Sequence, residues 1–230
     1  TQIISIVNVK GSSLSRLSDQ NIFMNVGPEI CVLSTKSYTA QVAILMLIAT
    51  ALVIKPNQAK QEIEEIIRNI YYLTSESARK YTKELSQILR YSNHIFTIGR
   101  GRDYATAMEA ALKIKEVSYI HAEGFAGGGI KHGPIAMIEH GTPCIVFVPN
   151  QENQDILSNA QELKTRGAFI IGISEKKHEV FDYWIKVVGP DKFSPILRII
   201  PIQALSYYLA VMKGLDPDTP RNLAKSVTVK

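Results

Sequence analysis

Apolar positions along the chain recur with two different periods. Short, nearly unbroken apolar runs at residues 3–9, 29–33, 94–99, 143–148, 168–173 and 184–188 predict strands buried on both faces. Between them, helical spacing predicts a helix from residue 34 or 35 to about 54. Two more helices follow over 58–90, carried by Ile63, Ile66, Ile67, Ile70 and Leu73, then by Leu85, Ile88 and Leu89. Further helices are predicted at 103–119, 153–166 and 195–212, with a short helical turn at 135–139. Ser34 or Thr35 is placed to cap the first helix. A Gly/Ser loop is read at 10–15 and a glycine-rich loop at 124–133. Residues 214–230 have no periodic pattern and hold Pro217 and Pro220, which favour extended or turn backbone.

Strands alternating with helices argue for an α/β fold with a parallel sheet. Two strands precede the first long helix, too few for a complete doubly wound unit, whereas the four after residue 93 make a whole one. The implied division is 1–56, bridging helices at 57–92, a second unit at 93–213 and a tail at 214–230. The most apolar stretch, residues 40–54, spans about 15 residues, the length of a buried helix rather than of a membrane crossing. No basic leader precedes an apolar segment, so no signal peptide and no membrane association are expected.

Composition narrows the function. Hydrophobic residues make up 46% of the 230 and charged residues 20%, a globular balance. The net charge of +5 and pI near 9.1 invite nucleic acid as a partner, but the bases are dispersed among acids without interleaved aromatics. No nucleic-acid partner is expected; an anionic small molecule or a solvated surface accounts for the charge equally well. Cys31 and Cys144 lie in apolar runs and read as inert buried thiols of a reducing, cytoplasmic compartment. No Cys or His–Cys spacing suits zinc, and His121 and His132 lack a third ligand, so no metal and no cofactor are expected.

Candidate chemistry gathers in the second unit. Gly99-Arg100-Gly101 ends a strand before a helix, but a third glycine at the dinucleotide spacing is missing, and a plain tight turn explains it as well. Glu109, Lys113 and Glu116 are spaced by four and three and so share one helix face; a solvated ion-pair ladder has the same pattern. Ala107, Ala110 and Ala111 leave room for another backbone to come close. Two histidines beside a glycine-rich loop add acid–base capacity near neutral pH.

The run from Glu109 to Pro134, E-x-A-L-K-x-K-E-x-x-Y-I-H-A-E-x₇-K-H-G-P, resembles the sugar isomerase (SIS) domains of glutamine–fructose-6-phosphate aminotransferases. So do the tail from Pro220 to Lys230, the segments Gly27-Pro28-Glu29-Ile30 and Ser34-Thr35-Lys36 with Gln41, and Gly11 to Arg16 with Asp19. The resemblance implies a three-layer, parallel-sheet SIS fold, with the second SIS domain complete and the first cut at its front. It implies an isomerase part that turns fructose-6-phosphate and ammonia into glucosamine-6-phosphate, as a homodimer, with a glutaminase domain or chain supplying the ammonia. It further implies that the phosphate-binding turn lies ahead of residue 1, so that the chain alone would be impaired.

Roles follow from the same resemblance, position by position. Glu116 would carry the proton between C1 and C2, Lys113 would steady the developing oxyanion, and His132, from a neighbouring subunit, would open the sugar ring. Lys225 would form the Schiff base, with burial among apolar groups favouring its neutral form and Leu223, Ala224, Val227 and Val229 anchoring the tail. Val32, Ala224 and Glu29 would contact the substrate, and Glu109 and Arg221 would support the tail. Two other readings stay open: an SIS isomerase or deglycase that uses no ammonia, and a non-catalytic sugar-phosphate-binding module.

Overall fold

The computed structural model describes residues 1–53, 56–149 and 154–225. The chain opens with β1 (Ile4–Val7), a short helix α1 (Ser13–Leu17) and β2 (Gln20–Phe23), the two strands paired in parallel. Three helices follow, α2 (Thr35–Ala51), α3 (Pro56–Leu73) and α4 (Glu76–Leu89). The second unit is built from β3 (His94–Gly99), α5 (Arg102–Ser118), β4 (His121–Ala126), β5 (Pro143–Phe147), α6 (Gln154–Lys164), β6 (Phe169–Ser174), β7 (Tyr183–Lys186) and α7 (Ser194–Met212). Its five strands are all parallel, in the order β4-β3-β5-β6-β7.

Alternation along the central strands makes three layers. Ile95, Ile145, Phe147, Ile171 and Ile173 face α4, α5 and α7, while Phe96, Ile98, Cys144, Val146 and Ile170 face α6. Both faces are covered, which is why these strands read as unbroken apolar runs. Inside α7, Arg198 is 1% exposed and pairs with Asp103 in the first turn of α5 and, at 3.5 Å, with Asp191. Burial pushes the Asp103 carboxyl up, and the Arg198 guanidinium works against that push.

Three expectations need correction. Residues 29–33 form a bend and turn, and the strand lies earlier, at β2. Gly27 and Ser34, both at positive φ, turn the chain on either side of that short run and leave no length for a ladder. From Ser13 the Gly/Ser loop is helical, as α1, which runs on to Leu17 and is capped by the Ser12 hydroxyl. His121–Ala126 is an edge strand, so the second sheet has five strands. Its glycine is there for closeness: a Cβ on Gly124 would lie 2.9 Å from the backbone of Ala107 and Met108, where α5 crosses it. Residues 191–212, α7 with its preceding turn, are long and apolar enough to cross a membrane, but 67% of their most apolar window is buried inside the protein.

Candidate functional site

Three distant segments meet at the turn 31–34. Helix α5 brings Lys113, which is 3% exposed and lies between the carboxylates of Glu109 (3.3 Å) and Glu116 (2.9 Å). The predicted shared face is therefore real, with Lys113 buried and both carboxylates partly buried rather than forming a solvated ladder. The Lys113 ammonium also donates to the carbonyl of Leu33 at 2.5 Å. Burial pushes the Glu109 carboxyl up, opposed by Lys113 and reinforced by the nearby Glu116. Against this charge stands Tyr38 of α2, its phenol pushed up to about 12, by burial first and by Glu109 second.

The tail brings the second lysine. Lys225 Nζ donates to the Cys31 carbonyl at 2.9 Å and to Ser34 Oγ at 2.6 Å, and lies 3.4 Å from Glu29 Oε2. Ser34, at φ 55, donates its own hydroxyl to the Val32 carbonyl at 3.2 Å. Three consecutive carbonyls, of Cys31, Val32 and Leu33, are thus each taken by a side chain: Lys225, Ser34 and Lys113. A non-glycine residue in the left-handed region is a costly conformation that this web of contacts holds in place.

Glu29 is the cap of α2. Its side chain accepts from the backbone N–H groups of Lys36 (3.0 Å) and Ser37 (3.4 Å) and from the Ser37 hydroxyl. Ser34 stands at the cap position but makes no side-chain cap bond, and Thr35 is already inside the helix, so the cap comes from five residues earlier than Ser34. Burial alone would raise the Glu29 carboxyl; the bonds from Ser37 and Lys36 and the charge of Lys225 outweigh it and leave it below its ordinary value. The positive end of the helix favours the same anion.

Among the described residues the tail is held by polar contacts together with Leu215 and Pro220, and not by Leu223 or Ala224. Leu223 is 45% exposed and Ala224 is exposed, while Val227 and Val229 lie outside the described residues. Leu215 packs near Leu33, Val117 and Ala210, Pro220 is buried, and the Cys31 thiol donates to the Pro217 carbonyl at 2.9 Å. Arg221 stacks over Tyr119, and its N–H donates to the Tyr119 hydroxyl. The surroundings of Lys225 are a carbonyl, a hydroxyl and a carboxylate, with its side chain 37% exposed, and not the apolar groups expected. Glu109 faces Lys113 and Tyr38.

Cys31 is partly buried in a turn, its thiol raised by burial; Cys144 is fully buried and pushed up to about 12 for the same reason. His132 is brought to none of these groups. It is exposed on the loop beyond the carboxyl end of β4, whereas α5 runs antiparallel to the strands and carries Glu116 toward their amino-terminal ends, roughly 20 Å along the helix axis. The contributions of Ser34 and Tyr119 were not foreseen; each follows a break in periodicity, and a left-handed φ is invisible to apolar spacing.

Comparison with known proteins fits this architecture. A family model described as SIS domain matches residues 1–51 and 88–213. The chain is 43% identical over 235 residues to the glutamine–fructose-6-phosphate aminotransferase [isomerizing] of Pyrococcus horikoshii, covering all of this chain and 39% of that protein. It is 41% identical over 240 residues to the enzyme of the same name from Thermococcus kodakarensis, covering all of this chain and 40% of that protein. The chain therefore spans about two fifths of the length of these curated relatives. The solved C-terminal domain of glucosamine-fructose-6-phosphate aminotransferase from Francisella tularensis superposes with a TM-score of 0.82 at 35% identity, over 94% of this chain and 65% of that one. A putative tagatose-6-phosphate ketose/aldose isomerase from Clostridium novyi superposes at 0.85 with 18% identity, over 99% and 63%, which shows the fold alone. With its two stretches of parallel sheet matched along most of its length, the chain belongs to the SIS-domain family.

Proposed function

We propose that this chain forms the isomerase part of an enzyme that converts fructose-6-phosphate and ammonia into glucosamine-6-phosphate. The observation that carries the proposal is the convergence on residues 31–34 of Lys113, beside Glu116 on α5, and of Lys225 from the tail. An amine able to form an imine and a carboxylate able to move a proton are the two groups that amination at C2 with C1/C2 proton transfer requires. The identity to aminotransferases over the whole chain supports the same substrates.

In this reading Lys225, having given up a proton, adds to the C2 ketone of the open-chain sugar, and water leaves to give the imine; ammonia then adds at C2 and releases the lysine amine. Exchangeable contacts to Ser34, Cys31 and Glu29 park Lys225 beside the site until the sugar arrives. Glu116 then carries the proton between the two carbons. Lys113, fixed by Leu33 and two carboxylates, stabilises negative charge developing on the sugar oxygen without reorganising. The backbone of Val32 and Ala224 would line the substrate, with Glu29 keeping the turn in shape. His132, remote within one chain, would come from a second copy in a homodimer to assist ring opening. Ammonia would be delivered by a glutaminase domain or chain, and two free thiols suit a cytoplasmic setting.

The test is borohydride reduction of the intact protein in the presence of fructose-6-phosphate, with the adduct located by mass spectrometry. A sugar adduct on Lys225 is expected, absent in Lys225→Ala and retained in Glu116→Gln. Trapping at Lys113, or undiminished adduct in Lys225→Ala, would defeat the assignment. Glucosamine-6-phosphate formation that requires ammonia separates this reading from an isomerase that does not use it.

A further inference from the structure

Tyr119 is the residue immediately beyond α5, at φ 57, in the left-handed conformation that ends a helix and redirects the chain into β4. Glycine or asparagine is the usual occupant of such a position, so a bulky aromatic residue there calls for a use of its side chain. The Tyr119 side chain reaches the tail. Its hydroxyl accepts the backbone N–H of Arg221 at 2.7 Å, and the Arg221 guanidinium lies over its ring at 4.1 Å. The next tail residue, Asn222, is itself left-handed at φ 62, so the tail turns where Tyr119 grips it.

We propose that Tyr119 is a positioning residue for Lys225, clamping the Arg221–Asn222 turn to the end of α5 and so fixing the distance between Lys225 and Glu116. This rests on the reading of the site given above. Tyr119 is three residues after Glu116, and Arg221 is four residues before Lys225. Four residues reach at most about 14 Å, so a fixed Arg221 confines the Lys225 amine to a small region around the turn 31–34. Upstream, the tail is held through Leu215, the Cys31–Pro217 contact and buried Pro220; without Tyr119 the residues from Arg221 to the Lys225 side chain lose their described tie to α5. The two contacts are chemically separate. The hydroxyl takes a main-chain donor that no side-chain change at position 221 removes, short of proline, while the ring holds the guanidinium.

The intact protein is studied as Tyr119→Leu, which removes both contacts, and as Tyr119→Phe, which keeps the ring and loses the hydroxyl. Arg221→Leu removes the stack from the tail side, in case Tyr119→Leu fails to fold. Amide hydrogen exchange at residues 221–225 is expected to quicken about tenfold in Tyr119→Leu and about threefold in Tyr119→Phe. Ammonia-dependent kcat should fall about 10- to 100-fold in Tyr119→Leu with KM for fructose-6-phosphate altered less than about threefold, and borohydride trapping on Lys225 should fall in step. Unchanged tail exchange in Tyr119→Leu overturns the clamp. Quickened exchange with full kcat overturns its positioning role. If Lys225→Ala keeps full activity, the chemical reading fails and takes the positioning role with it; if activity needs Lys225 but is indifferent to Tyr119, this inference alone fails.

Discussion

The two units of the molecule solve burial differently. In the second unit all five residues of β5 are buried, and helices cover both faces of the sheet. In the first, β1 and β2 form a two-stranded ladder with Ile4 exposed, and α2 is apolar nearly all round although Thr50 is its one buried residue. Alongside α2, an apolar hollow of about 430 Å³ opens between it, α3 and α7, lined by Ile63, Ile66, Ile196 and Ile200. The turn 31–34 and the start of α2 are docked by apolar packing, of Leu33 on Val117 and Ala210 and of Tyr38 and Val42 on the main core, and by a set of polar contacts: Lys113 on the Leu33 carbonyl, Lys225 on Cys31 and Ser34, and Gln203 on the Thr35 carbonyl and hydroxyl of Thr39. A densely packed unit thus carries Glu116 and Lys113, while the end of the tail that carries Lys225 is exposed and tied on through hydrogen bonds. Segments stabilised by few apolar contacts open at lower cost.

This contrast can be broken by measurement. The largest effect belongs to the packed unit: Phe96→Ala, at a fully buried position, should cost about 3–5 kcal/mol in chemical denaturation. Leu45→Ala on α2, 56% exposed, should stay within about 0.5 kcal/mol. Comparable losses at the two positions would show that the units are equally packed. Next in size, Gly124→Ala forces a methyl against the backbone of α5 and should cost about 1–3 kcal/mol, because neither partner is a flexible side-chain end. A neutral result would mean that α5 does not press on β4.

The smallest effect tests the polar docking. Glu29→Ala removes the cap of α2 and should cost about 1 kcal/mol. The Glu29 carboxyl is depressed in the folded protein, so its stabilisation is complete above its ordinary value of 4.5 and is lost as the pH falls through the lower folded value. Glu29→Gln should therefore flatten the acid side of the stability profile below about pH 4.5, read as the melting midpoint at successive pH values. An unchanged acid limb would remove Glu29 from the account of α2.

How much was legible can be argued element by element. Strands β3, β5 and β6 were plain because a sheet covered on both faces demands continuous apolar residues. β4 was hidden because it is an edge strand whose centre is a glycine under α5, and glycine reads as loop. β2 was displaced because its residues Gln20 and Asn21 are polar, while the apolar 29–33 that resembled a strand is bent between left-handed residues. The shared face of Glu109, Lys113 and Glu116 followed from helical spacing, but its burial did not, since burial depends on what the fold lays over that face.

Sequence by itself determined the α/β class, the limits of most helices, the ion-bearing face of α5 and the residues worth testing, because these depend on local periodicity and local side-chain chemistry. Tertiary structure alone decided that Lys225 and Lys113 hold neighbouring carbonyls of one turn, that Glu29 caps α2, that Tyr119 grips the tail, and that His132 stands apart at the other end of the strands. Apart from the Glu29 cap, seven and eight residues from its partners, the partners in those contacts are from 80 to 194 residues apart. No periodicity connects positions so distant; only the closure of the chain, driven by burial of the sheet between its helices, brings them within hydrogen-bond reach.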